Sequence, residues 1–424
     1  MPEKLNKALV LFGAGASIPF FEYHKGESLL TTNAINKAIL DKDLWGNALV
    51  HNSELRENIP HILSFLQKIQ GILRGIANFE DIAEIVDMVG DLCRDRFSSS
   101  VSNYTNLICS EVFSIGSSSL YENGFLAPSY IYLPYFYREI IAEYISNLYT
   151  KLPTCYNTMV QLQSEFLKHL AEKYENINLF TLNYDDSISD SIVESKIDFT
   201  NGFDSETSFN DALYFRSKYS ISYLHGHIRM VNRSRYYATM VRNIDEARCF
   251  RQSNYSSPFA PDGANEGQND FNIFITTGKS KDTSLNFIPY SAYYSKLAYD
   301  AFDSNTLFIV GYSFNDLHVN RLIGHYLSID AHHHIVIVDY VPRDENGVAD
   351  LTKYKTTLSQ FVKWNGFYGV EDLSNIFDSD TEKISINHYG YGWIMNHRTF
   401  LYINGYKQFL KNLEHLSPIV YGKS

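Results

Sequence analysis

The run Leu9-Val10-Leu11-Phe12-Gly13-Ala14-Gly15-Ala16-Ser17 limits what this chain can fold into more than any other stretch. Four apolar residues closed by glycine read as a short strand buried on both faces, as in a parallel sheet, running straight into a turn. Gly13 and Gly15 permit backbone conformations closed to other residues and let the backbone lie close to a ligand. A helix after the turn would present free amide groups suited to a pyrophosphate. Glycine at a strand-to-helix turn also has a purely steric explanation, so this stretch alone leaves both readings open. The ordinary dinucleotide fingerprint is incomplete, since Ile18 stands where its third glycine belongs.

Beyond the turn, Ile18 to Thr32 mixes Pro19, Phe20, Phe21 and Gly26 and reads as a mobile loop able to close over a ligand. From about 33 to 175 the pattern is mostly helical and reads as an insertion or cap on the sheet. Phe79 to Cys93 places Ile82, Ile85, Val86, Val89 and Leu92 on one face, with Glu80 and Asp81 in the first turn, where acids favour the helix dipole. Tyr130 to Leu148 repeats the pattern with Leu133, Phe136, Tyr137, Ile140, Ile141, Tyr144 and Leu148. These stripes read as core.

The strand pattern resumes at Ile177 to Leu182, Ile221 to Leu224, Phe271 to Thr276, Thr306 to Val310 and Ile335 to Val338. A helix follows residue 316, with Asn315 or Asp316 as its N-cap. Strands alternating with helices predict an α/β fold with a doubly wound parallel sheet. In such a sheet ligands bind at the carboxyl ends of the strands. Four polar clusters sit there: Gly13 to Ser17, Asn183 to Asp186, His225 to His227, and Gly311 to Asp316.

Each cluster also has a plainer reading. Asn183 and Asp185 could cap a helix over 187–195, His225 could be a satisfied core histidine, and Gly311 and Ser313 could serve a tight turn. His225 and His227 could share a metal, although spacing supplies no third ligand.

Composition narrows the function classes. A net charge of −12, from 36 basic and 48 acidic residues, gives the molecule no overall footprint for nucleic acid, and Arg229 to Arg251 is the one local basic stretch. The 32 Tyr and 28 Phe suit extensive packing or interface surface. Cys93, Cys109, Cys155 and Cys249 are scattered, which excludes a four-cysteine zinc knuckle and reads as free thiols in a reducing compartment. The first apolar run is too short for a signal peptide, and no run approaches the ~18 apolar residues that span a bilayer. The expectation is a cytoplasmic protein without a membrane partner.

Taken in order, Gly-Ala-Gly-Ala-Ser (13 to 17), Thr-Leu-Asn-Tyr-Asp (181 to 185), His-Gly (225 to 226) and Gly-Tyr-Ser-Phe-Asn-Asp (311 to 316) resemble the sirtuin-like superfamily. They are most similar to its bacterial branch of NAD-consuming antiphage effectors. The resemblance covers roughly residues 5 to 340. It implies a Rossmann-like, NAD-binding catalytic domain over 1–345 with the helical insertion, and a C-terminal appendage over 346–424 for packing or for oligomer or partner contact.

The resemblance further implies that Gly13, Ala14, Gly15 and Ser17 cradle the NAD pyrophosphate. Asn183 would orient the water or the nicotinamide ribose, Asp185 would hold the nicotinamide amide, and His225 would be the general base. Thr181, Gly311, Ser313 and Asp316 would complete the NAD site, with Gly311 and Ser313 at the adenosine half and Asp339 as a further candidate for its ribose.

Two departures weigh against peptide deacylation. The four-cysteine zinc module of sirtuin deacylases has no counterpart here, and Pro19-Phe20-Phe21-Glu22 replaces their Asp-Phe-Arg run. The implied activity is hydrolysis of NAD+ to nicotinamide and ADP-ribose, with no metal. The alternatives are a deacylase or ADP-ribosyltransferase, or a non-catalytic NAD or ADP-ribose module. An NAD-depleting enzyme of abortive infection needs gating, so a homo-oligomer, and a partner ATPase or sensor protein, are implied as well.

Overall fold

β1 (Leu5–Phe12) lies between β2 (Tyr174–Thr181) and β7 (Thr306–Val310), parallel to both. The computed structural model describes residues 5–22, 28–48, 53–73, 78–93, 126–204, 208–234, 237–254, 273–275, 285, 287–329, 334–343, 345, 391–394 and 399–420. The central sheet continues through β3 (Tyr219–Tyr223) on one side, and through β8 (His334–Val338), β10 (Thr399–Tyr402) and β9 (Tyr391–Ile394) on the other. Its order is β3-β2-β1-β7-β8-β10-β9, with six parallel strands and β9 antiparallel at the edge. From Lys7 to Phe12 β1 is buried, as a strand covered on both faces must be.

The helices are α1 (Thr32–Ala38), α2 (Lys42–Ala48), α3 (Ser53–Ile72), α4 (Phe79–Cys93), α5 (Leu126–Leu148) and α6 (Tyr156–Lys173) before β2. Then come α7 (Ser187–Ser195), α8 (Asp211–Arg216), α9 (Ile244–Asn254), α10 (Tyr290–Asp303), α11 (Leu317–Ile329), α12 (Tyr406–Lys411) and α13 (Leu413–Val420). Helices cover both faces of the sheet, the Rossmann-like arrangement. α6 packs on β2 beside α7 and α12, and α10 packs on β1 and β3 beside α11. An ion cluster helps fix α10. Lys7 of β1 donates to Asp300 at 2.8 Å and Asp303 at 2.7 Å, and Lys296 lies 3.2 Å from Asp300.

Two expectations need correction. The stretch after the glycine turn is not a loop up to Glu22, because Ile18–Phe21 forms a 3₁₀ turn whose Phe20 and Phe21 are fully buried. Their rings meet Tyr149 and Tyr156 edge-on, so apolar burial fixes the segment. The strand expected at 271–276 is β6 (Ile273–Ile275), which belongs to a separate antiparallel sheet with β4 (Gly226–Ser234) and β5 (Tyr237–Met240). The C-terminal region contributes β9 and β10 to the main sheet, and α12 seats Tyr406 against Phe12. Residues 262–270 and 346–390 lie outside the described residues.

The chain order along the sheet reverses between β1 and β7. That is the position at which doubly wound sheets open a crevice at their strand ends.

Candidate active site

The turns after β1 and β7 touch backbone to backbone. Gly13 N–H donates to Val310 O at 2.9 Å, and Gly15 N–H donates to Gly311 O at 2.8 Å. Gly311 has φ +60°, and a Cβ there would stand 2.3 Å from Ala16 N. A Cβ on Gly13 would stand 2.6 Å from Gly311 O. These glycines are therefore required by the contact between the two turns, whatever the ligand. Beyond Gly13 the chain makes one helical turn, Ala14–Ser17, before the 3₁₀ segment.

Behind this contact, buried polar groups lock the β2 end. The Asn183 amide donates to Gly13 O at 2.9 Å and to Ser17 Oγ at 2.7 Å. Ser17 in turn donates to Asp185 Oδ2 at 2.7 Å, while Ser187 N–H donates to Asp185 Oδ1 at 2.9 Å. Thr181 Oγ1 accepts from Asn183 N–H at 3.0 Å. With both amide hydrogens engaged, Oδ1 is the atom Asn183 has to offer a ligand.

Across the crevice His225 Nε2 lies 2.8 Å from Asp316 Oδ2, both side chains being 5% exposed. Asp316 Oδ1 accepts from His318 N–H at 2.9 Å and Val319 N–H at 3.1 Å, so the same carboxylate caps α11. A carboxylate can only accept, which puts a proton on Nε2; in the neutral ring the basic lone pair is then on Nδ1. Between Ser313 and Asn315, Phe314 holds φ +61°, a conformation that costs a non-glycine residue about 1–3 kcal/mol. Asn320 donates to Phe314 O at 2.7 Å, and the Tyr312 and Phe314 rings pack with centroids 5.0 Å apart.

These ends open onto a cleft of about 870 Å³ counting its mouth. The sheet supplies Ala14, Leu182, Asn183, Tyr184, Asp185, His225, Tyr312, Ser313, Asn315 and Asp316. The helical region supplies Leu30, Thr32, Ile35, Asn78, Phe79, Glu80 and Ile145. Of the residues singled out from sequence, Ala14, Asn183, Asp185, His225, Ser313 and Asp316 reach the wall. Gly13, Gly15, Ser17, Thr181 and Gly311 stand behind it as supports. Asp339 does not line the cleft, and its carboxylate accepts from Tyr340 N–H at 2.8 Å.

His227 does not share a site with His225. It is fully buried with Nε2 3.1 Å from Asp186 Oδ1, and Arg229 Nε stands 2.7 Å from the same oxygen. Burial pushes the Asp186 carboxyl up, but His227 and Arg229 outweigh it and hold the group below its ordinary value. Among the described residues no three His, Cys, Asp or Glu side chains are placed to hold a metal ion.

Helical periodicity does not mark this wall as part of the site. Glu80 has a sufficient local explanation as a first-turn acid, and nothing in periodicity connects it to β2. The one usable signal was the start of α4. Asn78 Oδ1 accepts from Glu80 N–H at 2.8 Å and Asp81 N–H at 3.0 Å, while Asp81 Oδ2 accepts from Asn78 N–H at 2.9 Å.

Residues 177–358 match the family model of the SIR2-like domain. The match begins in β2 and takes in Asn183, Asp185, His225, Ser313 and Asp316. The glycine turn and the helical wall fall outside it. SIR2-like domains act on NAD+, so an NAD-related function attaches to this segment in general terms. No curated protein matches the chain. Among the described residues no helix is long and apolar enough to cross a membrane.

Proposed function

We propose that the chain is an NAD+ glycohydrolase, cleaving the bond between nicotinamide and ribose to give nicotinamide and ADP-ribose. The observation that carries this reading is the buried His225–Asp316 pair on the wall that also holds Asn183 and Asp185, within the SIR2-like segment. The donor set fits the ligand. Among the described residues the cleft is lined by three carboxylates, Glu80, Asp185 and Asp316, and by no lysine or arginine. Such a wall favours the cationic nicotinamide end. The pyrophosphate is left to the backbone at Ala14 and to the exposed Ser313 at the turn end.

The chemistry asks little of covalent catalysis. Nicotinamide leaves as a neutral molecule and the ribose acquires oxocarbenium character, so the site has to hold the ribose, shield the charge and place water. Asn183 Oδ1 accepts from the water or from a ribose hydroxyl. His225 Nδ1 takes the proton the water loses as it bonds to the sugar carbon, and Asp316 steadies the resulting imidazolium. General-base help of this kind contributes about 10²–10⁴-fold.

NAD+ incubated with the protein should yield nicotinamide and ADP-ribose in equal amounts, unchanged by an added acetyl-lysine peptide. Release that requires the peptide would point to deacylation instead. Binding of NAD+ without cleavage, under every condition tried, would leave a binding module.

The cellular role we infer is that of a gated NAD-depleting effector in bacterial antiphage defence. The motif resemblance supports it, together with the toxicity of unrestrained NAD+ hydrolysis. Gating would come from self-association or from a partner ATPase or sensor. A monomer that is fully active alone would overturn the gating.

A further inference from the structure

We infer that the Tyr312 hydroxyl positions Asp316 and, through it, the His225 base. This rests on the NAD+ reading above and adds to it a positioning residue on the turn after β7.

The start of α11 creates the need for such a group. Asp316 caps that helix with Oδ1, so its own backbone N–H lies outside the helix and must find a partner elsewhere. In a capping box, a Glu or Gln at the third helical position reaches back to that N–H. Here the third position is Val319, which carries no acceptor. The Tyr312 hydroxyl stands in for it and accepts from Asp316 N–H at 3.0 Å.

The hydroxyl is itself held. Its one proton lies between Asn320 Oδ1 at 2.6 Å and Asp316 O at 3.0 Å. Asn320 is oriented for this, because its Nδ2 donates to Phe314 O at 2.7 Å and a carbonyl can only accept. Phe314, at φ +61°, turns the chain so that the side chain of residue 312 meets a backbone group four residues on. Burial first, then the Asp316 carboxylate, pushes ionisation of Tyr312 above its ordinary value, so the hydroxyl keeps its proton.

Asp316 therefore has its side chain fixed by the cap and its backbone fixed by Tyr312. Its Oδ2 reaches His225 Nε2 at 2.8 Å from that double anchorage. Removing the hydroxyl leaves a buried N–H without its acceptor, and a shift of Asp316 is the repair available. A shift there moves the carboxylate relative to the base, where small displacements are costly to turnover.

The test is steady-state kinetics on the full chain with Tyr312→Phe, which removes the hydroxyl and keeps the ring. For NAD+, kcat should fall about tenfold while KM stays within about twofold. In an Asp316→Asn background, where His225 has already lost its carboxylate, the same substitution should change kcat by no more than about twofold. Calorimetry on His225→Ala, which blocks turnover, should give the same NAD+ affinity within about twofold with and without the Tyr312 hydroxyl. Unchanged kcat, or an equal tenfold loss in the Asp316→Asn background, overturns the inference. Weakened NAD+ binding overturns it too, because the hydroxyl then serves the ligand or the fold directly. Each of these outcomes leaves wild-type turnover, and with it the NAD+ reading, intact. A wild type that releases no nicotinamide from NAD+ fails that reading, and the inference falls with it.

Discussion

Asp316 Oδ2 stands 2.8 Å from His225 Nε2, although the two residues are 91 positions apart. One oxygen of the carboxylate caps α11 while the other fixes the imidazole, so helix packing and the base's tautomer depend on the same group. Asp316→Asn keeps an acceptor for the cap and loses the charge. Its turnover of NAD+ should fall about 10²–10⁴-fold with melting close to wild type. A variant with normal turnover would show that the pair is structural only.

Ser17 passes a hydrogen bond from Asn183 to Asp185 without lining the cleft. Ser17→Ala strands a buried donor and a buried acceptor, a loss of about 1–3 kcal/mol of stability. Because both neighbours face the cleft, NAD+ affinity should fall too. Denaturation and binding measured on one preparation would separate these effects. Weakened folding with unchanged affinity would make Ser17 a packing residue alone.

Gly311 and Gly46 make a matched pair. Gly311→Ala forces a Cβ against Ala16 N at a φ of +60° and should destabilise by about 2–5 kcal/mol. Gly46, within α2, has nothing within 4 Å of an added Cβ. Gly46→Ala should therefore stabilise by about 0.5–1 kcal/mol. Chemical unfolding of both reads the contrast, and similar values for the two would refute the turn-to-turn contact.

Much of this site is legible from sequence because its β parts are local. An apolar run that ends in Asn183-Tyr184-Asp185 or in Gly311-Tyr312-Ser313 announces a strand end, and the sheet gathers strand ends together. The pairing of Asp316 with His225 is not legible, since Asp316 already satisfies the rule for an N-cap and the partner is remote. Glu80 escapes for the same reason. The glycines are visible but ambiguous, because a close backbone contact and a phosphate cradle demand the same residue. β6 misleads because three apolar residues carry no mark of the sheet they join. The short strand β10 carries no cue that it extends the parallel sheet.

Asp186 sets an acid limit on stability. Burial opposes its ionisation, but His227 and Arg229 hold its carboxyl below the ordinary 3.8. A carboxyl with a lower pKa folded than unfolded stabilises the fold above the unfolded value, and the contribution is lost as pH falls through the native one. At neutral pH Asp186→Asn should be less stable by about 3 kcal/mol, because Arg229 is left largely buried without its counter-charge. Below about pH 4 the gap from wild type should narrow. Urea midpoints at pH 7 and pH 3 measure it, and a constant gap would contradict the assignment.

The central claim is that this cleft breaks the nicotinamide bond of NAD+. Chromatography of NAD+ incubated with wild type, Asn183→Ala and His225→Ala tests it most directly. The account predicts nicotinamide and ADP-ribose from the wild type and at least a hundredfold less from either variant. Release undiminished in both variants would contradict it, as would a wild-type protein to which NAD+ does not bind at all.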